Sequence, residues 1–282
     1  MDKELTISQF LALPSPNKAI ADALGERKNQ FVASVVSLAK SNPKIEACTR
    51  ESLLAACMTA ASLNLPINPS LGFAYIIPYD RKTKNGDKWE TITEAQFQMG
   101  YKGFIQLVQR SSQIKTINVT DVREGEIVRQ DFLSGEFEFD CLEENRDKAK
   151  VIGYVAFIRL VNGFEKSLYM TVAELEKHGE RFSKSYNAMD YGKKNYVGLW
   201  RTDFDVMARK TVLKLLLSKY APMTTEIEKA ISFDQAVIRD GQADYVDNDR
   251  ESVEVIGEQK NDEWEKEAAE AIAQERKEGR DA

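Results

Sequence analysis

Basic and aromatic residues alternate in the stretch from Arg181 to Lys219, which holds nine Lys and Arg residues against three acids. Five of the bases lie in or beside a glycine-containing predicted loop: Arg181, Lys184, Lys193, Lys194 and Arg201. Four aromatic residues are interleaved with them: Tyr186, Tyr191, Tyr196 and Trp200. Cations neutralise phosphates and aromatic rings stack on unpaired bases, so the pattern favours contact with a single-stranded nucleic acid. Each cation alone is typical of an ordinary solvated surface.

Two predicted helices add further cations to this cluster. In a helix over Tyr101–Ser111, one side is apolar and the other carries two cations, two amides and no acid: Lys102, Gln106, Gln109 and Arg110. In a helix over Asp203–Tyr220, Lys210 and Lys214 share a stripe that should face solvent or a polyanion, because buried helices rarely hold unpaired ammonium groups. Arg209 lies about 100° away, where it is expected to pair with an acid.

Other chemistries find little support in the residues. The chain has no glycine-rich phosphate cradle, so ATP-driven work is not expected. The acid pairs Glu174/Glu176 and Asp203/Asp205 resemble half of a metal site, but both lie at predicted helix starts, where the helix dipole favours acids anyway. One histidine, His178, and three dispersed cysteines predict neither a catalytic triad nor a structural metal.

The elements that must position these residues form an α+β pattern: a small antiparallel β-sheet of hairpins packed against helices, with an acidic C-terminal tail. Residues 1–65 are predicted to be helical, with Pro43 as a break. Strands follow on both sides of a long charged hairpin loop at 80–90, and Asn162-Gly163 is a strong hairpin turn signal. Thr171 to Glu174 is a capping box that opens a helix.

Charge divides the chain more sharply than hydropathy does. The net charge of −6 is the sum of −9 in residues 240–282 and +3 in residues 1–239. We therefore predict a folded core over 1–238 that makes the nucleic-acid contacts. An acidic, flexible tail over 239–282 is expected to carry a terminal helix near 262–277, and to compete with DNA or to dock a partner. The longest apolar runs are too short for a bilayer and no signal peptide is evident, so we expect a cytoplasmic protein that contacts no membrane.

Three segments resemble the RecT family of phage and prophage single-strand DNA-annealing recombinases: Leu71–Tyr79, Ala95–Gly103 and Phe204–Lys214. The likeness covers roughly residues 30–235, although the stretch Lys82–Lys88 is longer than the family pattern. The resemblance implies an ATP-independent protein in the cytoplasm of a bacterial host cell, whose core over 1–238 is a DNA-annealing and oligomerisation core. Such a protein binds single-stranded DNA and the annealed duplex and assembles into rings or helical filaments. It also implies a partner 5′→3′ exonuclease and the host single-strand binding protein. No cofactor is expected, and Mg²⁺ is expected only as a counterion of DNA.

Two rival functions stay open from the residues alone. A metal-dependent nuclease would use the acid pairs and cleave its substrate, whereas an annealing protein leaves strands intact. A structural self-assembling protein would direct its basic patches at acidic neighbours and would never accelerate strand pairing.

Overall fold

The computed structural model describes residues 5–85, 88–131, 133–140, 146–183, 186–190, 195–196, 198–239, 242–245, 253–254 and 270. The chain divides into two compact units, Met1–Met99 with Phe233–Ala282, and Gly100–Ser232. This division differs from the boundary predicted at residue 238. Both units combine helices with small antiparallel sheets, which confirms the α+β class. Within the described ranges, no helix is both long and apolar enough to cross a membrane.

The α-helices of the described residues are, in chain order, α1 Ile7–Ala12, α2 Pro14–Leu24, α3 Lys28–Ser41, α4 Pro43–Glu46, α5 Arg50–Ser62, α6 Tyr101–Arg110, α7 Val172–Phe182, α8 Leu199–Thr202, α9 Phe204–Tyr220 and α10 Thr225–Phe233. The strands are β1 Ala74–Asn85, β2 Lys88–Met99, β3 Ile114–Arg123, β4 Ile127–Asp131, β5 Glu136–Phe139, β6 Val151–Leu160, β7 Glu165–Thr171, β8 Met189–Asp190, β9 Asn195–Tyr196, β10 Ala236–Arg239, β11 Gln242–Tyr245 and β12 Val253–Glu254.

The N-terminal helices of the first unit begin where local chemistry satisfies their free backbone N–H groups. Thr6 and Gln9 form a capping box at the start of α1, and proline occupies the first position of α2 and of α4. Pro43 follows the end of α3, which confirms the predicted break. It also opens a further short helix, α4, which was not predicted. Proline suits that position, since the N–H it lacks would have no helical partner.

A five-stranded antiparallel sheet, in the order β1-β2-β10-β11-β12, forms the other layer of the first unit. At its base Ile76 pairs with Phe97, both side chains are buried, and α5 packs against β2. The buried Asp234 carboxylate accepts a hydrogen bond from the Met99 N–H at 2.9 Å.

The predicted hairpin loop at 80–90 is wrong in one respect, because β1 and β2 continue through it. Paired residues run from Asp80 opposite Thr93 to Asn85 opposite Lys88. Charged side chains lie on both faces of this paired segment, so its sequence lacks the apolar alternation that indicates a strand.

In the second unit, α9 packs against a three-stranded sheet of order β3-β6-β7, and α6 packs against α9. The turn at Asn162-Gly163 joins β6 to β7 as predicted, with Gly163 at a φ of 91°. The Thr171 capping box also forms as predicted. The helix α9 ends at Tyr220, before Pro222, again as predicted.

The C-terminal region begins with paired strands. The predicted boundary at residue 238 falls inside β10, which pairs with β2 through Ala236 and Phe97 and with β11 beyond the boundary. Of the predicted terminal helix, Glu270 is described as helical and the rest lies outside the described residues.

Candidate nucleic-acid interface

Helix α6 has one buried side and one exposed cationic side, as its sequence predicts. Phe104, Leu107 and Val108 are buried, which confirms that Phe104 belongs to the core. Among the predicted contacts, Lys102, Gln109 and Arg110 are exposed and fall within about 100° of arc on the helix. This face contains no acid, so it can contact phosphates without sequence preference.

Gln106 differs from its neighbours on that face of α6. Its side chain is half-buried, and its Oε1 atom is enclosed with no hydrogen-bond partner in the described part of the chain. A carbonyl oxygen accepts hydrogen bonds and therefore cannot bind a phosphate directly.

On α9, the stripe that was expected to face solvent is largely covered. Lys210 is only 6% exposed and Lys214 is half-buried, so the expectation of a fully solvent-facing stripe is wrong at Lys210. The reason is that both the sheet and α6 pack against α9, so little of the helix surface is left exposed to solvent. Helix α6 contacts α9, and these two helices carry the predicted cations. That Lys102, Lys210 and Lys214 belong to one DNA-binding cluster stays a prediction.

Three arginines of the second unit are occupied by carboxylates in a part-buried ion network. Asp121 accepts from Arg123 Nε at 2.9 Å and lies 3.3 Å from Arg146 and 3.4 Å from Arg209. Arg146 Nε also contacts Glu126 at 2.6 Å. The predicted acid partner of Arg209 is thereby confirmed. These arginines neutralise the buried carboxylates of Asp121 and Glu126, so their charges are already compensated within the protein.

The network fixes the ionisation of Asp121. Burial alone would raise the pKa of this carboxyl, but the hydrogen bond from Arg123 and the charges of Arg146 and Arg123 outweigh burial and hold the pKa below its usual value. Nearby, burial and a hydrogen bond to the Asp205 carboxylate raise the pKa of the Tyr154 hydroxyl above its usual value. Asp121 is therefore ionised at neutral pH, and the Tyr154 hydroxyl keeps its proton.

The aromatic residues interleaved with the predicted loop cations split into core and surface. Tyr186 and Trp200 are buried, so the suggestion that they stack on bases is wrong. Their rings enclose Gly179 so closely that an added methyl group would lie 2.7 Å from Trp200 and 2.8 Å from Tyr186. Tyr196, by contrast, is 44% exposed.

Arg201 is held by this aromatic cluster in a defined orientation. Its guanidinium carbon lies 4.4 Å from the centroid of the Tyr186 ring and 5.2 Å from that of Tyr196, and its Nη2 donates to Asn187 Oδ1 at 3.3 Å. Arg181 is placed similarly, 5.0 Å from the ring centroid of Phe182. Stacking uses the flat face of a guanidinium and leaves its in-plane N–H groups for an anion. Arg201 is thus an exposed cation with a defined orientation. Lys184, Lys193 and Lys194 lie outside the described residues.

The sequence is similar to those of known proteins. The family model of the RecT family matches residues 29–270. The chain belongs to the RecT family. It is 39% identical over 253 residues to the Bacillus subtilis (strain 168) "Uncharacterized protein YqaK", covering 89% of this chain and 78% of that protein. It is 28% identical over 235 residues to "Protein RecT" of Escherichia coli (strain K12), covering 83% of this chain and 81% of that protein.

Three of the four acids that could have suggested a nuclease in this RecT family member have structural partners. The Glu174 carboxylate caps α7, where it accepts the Thr171 N–H at 2.8 Å. Asp203 accepts the Thr202 hydroxyl at 2.7 Å, and Asp205 accepts the Tyr154 hydroxyl. Their interpretation as helix-start residues is confirmed. Within the described ranges, no group of three His, Cys, Asp or Glu side chains is arranged to hold a metal ion.

Substitutions at two lysines should separate structure from binding. Lys210→Ala removes a buried side chain and should lower the free energy of unfolding by about 1 to 3 kcal/mol, whereas Lys102→Ala should change it by less than about 0.5 kcal/mol. Thermal unfolding followed by circular dichroism measures both. Lys210→Met, which keeps the aliphatic stem, is the control and should be less destabilised than Lys210→Ala; equal stability of Lys102→Ala and Lys210→Ala would contradict the assigned burial.

Sequence reasoning missed two features of the chain. One is the Asp121 network, whose members are far apart in sequence and give no local signal. The other is Trp89, which is 69% exposed on the paired extension of β1 and β2. The available signal was the spacing of Trp89, Thr91 and Thr93, which are two residues apart as on one face of a strand. Lys82 and Lys84 have the same spacing on the paired strand.

Proposed function

We propose that this protein binds single-stranded DNA through the exposed cations of its second unit and anneals complementary strands without nucleotide hydrolysis. The observation that carries the proposal is the acid-free exposed face of α6, with Lys102, Gln109 and Arg110, in a member of the RecT family. Arg201, held by two tyrosines, supplies a further phosphate donor. Family membership supports a general role in recombination by strand annealing.

The physical basis is charge neutralisation. Two complementary strands repel each other through their phosphates, and each folds on itself. A basic groove repeated along an oligomeric ring or filament neutralises one backbone, holds the strand extended and leaves its base edges free. Base pairing then drives the reaction, since stacking contributes about 1.4 kcal/mol per step and no ATP or other cofactor is needed. Mg²⁺ acts only as a counterion of DNA.

The proposal extends to partners. A protein that needs unpaired strands depends on an activity that exposes them, and a 5′→3′ exonuclease produces such strands from duplex ends. A host single-strand binding protein would occupy the same strands, so the annealing protein has to work beside it. The annealed duplex is the product that the oligomer holds last.

Mixing two complementary labelled oligonucleotides without ATP, with and without the protein, tests this function. We expect faster pairing with the protein and intact strands on a denaturing gel after incubation with Mg²⁺ or Mn²⁺. Shortened strands would indicate a nuclease. Oligomers that form and do not accelerate pairing would indicate a structural protein, and either result would contradict the proposal.

A further inference from the structure

The paired extension of β1 and β2, residues 80–85 and 88–93, is called here the hairpin arm. Six residue pairs, from Asp80 opposite Thr93 to Asn85 opposite Lys88, give it a length of about 20 Å. Side chains alternate between the two faces of a strand, and directly paired residues share a face. Lys82, Lys84, Trp89 and Thr91 therefore lie on one face, called the Trp89 face.

The Trp89 face is the outward continuation of the core face of the sheet. At the base of the same two strands, Ile76 and Phe97 have the same alternation and are buried. Toward the tip the covering ends, and Trp89 is left 69% exposed. An indole with most of its surface in water is available for stacking, because few neighbouring side chains cover it.

Charge also distinguishes the two faces of the arm. Lys82 and Lys84 are exposed on the Trp89 face, and neither makes an ion pair within the described part of the chain. The acid of that face, Asp80, accepts the Thr93 hydroxyl at 2.7 Å near the base. The opposite face mixes signs.

On that opposite face, Arg81 Nε contacts Glu94 at 3.0 Å, and Glu90 and Lys88 follow toward the tip. Of the two faces of the arm, it is thus the Trp89 face that places cations beside an exposed aromatic ring without intervening acids.

We propose that the Trp89 face of the hairpin arm binds an unpaired segment of a polynucleotide strand. A base stacks on the Trp89 indole, and the Lys82 and Lys84 ammonium groups contact the phosphates. The contact does not depend on sequence, since every base has a π-face. This inference rests on the proposed function and adds a strand contact in the first unit, separate from the cations of α6. A second copy that pairs through the same face is the less suitable occupant, because its Lys82 and Lys84 would meet the same two lysines and repel them.

The test compares four full-length proteins in binding to a fluorescent single-stranded oligonucleotide: wild type, Trp89→Ala, the double variant Lys82→Ala/Lys84→Ala, and Lys88→Ala. The last is the matched control, because it removes the same charge one residue from Trp89 but on the opposite face. We expect Trp89→Ala to weaken binding roughly 5- to 100-fold. The double variant should reduce the logarithmic salt slope by about 1.4, and Lys88→Ala should stay within about twofold of wild type.

The outcomes separate this inference from the proposed function. If wild type binds strands but Trp89→Ala and the double variant bind equally well, the arm is not a strand site, although the proposed function stands. If wild type does not bind strands, both fail. Sedimentation velocity without DNA is the second measurement: loss of self-association in Trp89→Ala with an unchanged melting temperature would assign the face to a second copy and overturn the inference.

Discussion

Replacing Asp121 by asparagine is expected to lower the free energy of unfolding by about 3 to 5 kcal/mol. The substitution keeps the size of the side chain but leaves Arg123, Arg146 and Arg209 without their shared negative charge. Removing one member of a part-buried network costs more than replacing the whole network. The remaining charges stay partly shielded from solvent but no longer have an ionic partner. Chemical denaturation at pH 7 measures the loss.

The effect should depend on pH in a defined direction. The folded state lowers the pKa of Asp121, so this carboxylate stabilises the fold fully above its unfolded value of about 3.9. That stabilisation is lost as the pH falls through the lowered folded value. The difference between wild type and Asp121→Asn should therefore be constant from about pH 5 to pH 8 and should shrink below about pH 4.

Glu165→Gln provides the control for Asp121→Asn. Glu165 pairs with Arg159 at 2.6 Å, but both side chains are largely exposed, so the same acid-to-amide change should cost less than about 1 kcal/mol. Equal losses in the two variants would contradict the assigned burial of the network.

Gly153→Ala is expected to destabilise the second unit by about 3 kcal/mol through overpacking. A methyl group at this position of β6 would lie 2.5 Å from the Met170 carbonyl oxygen and 2.5 Å from the Tyr169 ring carbon Cε2. The ring can turn, but the carbonyl belongs to β7, which pairs with β6 from Gly153 through Arg159. Relief therefore requires the sheet to shift, and thermal unfolding detects the cost.

Gly163→Ala is the comparison for the second-unit sheet. Nothing lies within 4 Å of a methyl group added there, so the cost comes only from the φ of 91° and should be about 1 to 2 kcal/mol. A Gly153→Ala protein as stable as wild type would show that the β6–β7 pair is looser than described.

Local signals in the sequence were enough for most elements that position the candidate site. The α6 stripe, the Thr171 capping box and the Asn162-Gly163 turn all depend on residues within eight positions of one another. The ends of such elements follow from proline and capping chemistry, so Pro222 marks the end of α9 correctly.

Features that depend on distant partners could not be predicted in this way. The burial of Lys210 results from packing by α6 and the sheet, neither of which is visible in the α9 sequence. The β10 strand depends on pairing with β2, about 140 residues earlier, and was hidden in a segment that otherwise looks acidic and polar. The sequence alone does not distinguish the buried Tyr186 and Trp200 from exposed aromatic residues that stack on bases. Aromatic side chains occur both in cores and at binding surfaces.

The salt dependence of single-strand binding is the most direct test of the central claim that exposed cations of the second unit neutralise phosphates. The measurement compares wild type with the triple variant Lys102→Ala/Arg110→Ala/Arg201→Ala, by fluorescence anisotropy from low to moderate salt. Each phosphate contact contributes about −0.7 to the logarithmic slope, so the triple variant should bind more weakly with a slope smaller by about 2. A slope and affinity equal to wild type, in a variant with an unchanged melting temperature, would contradict the account.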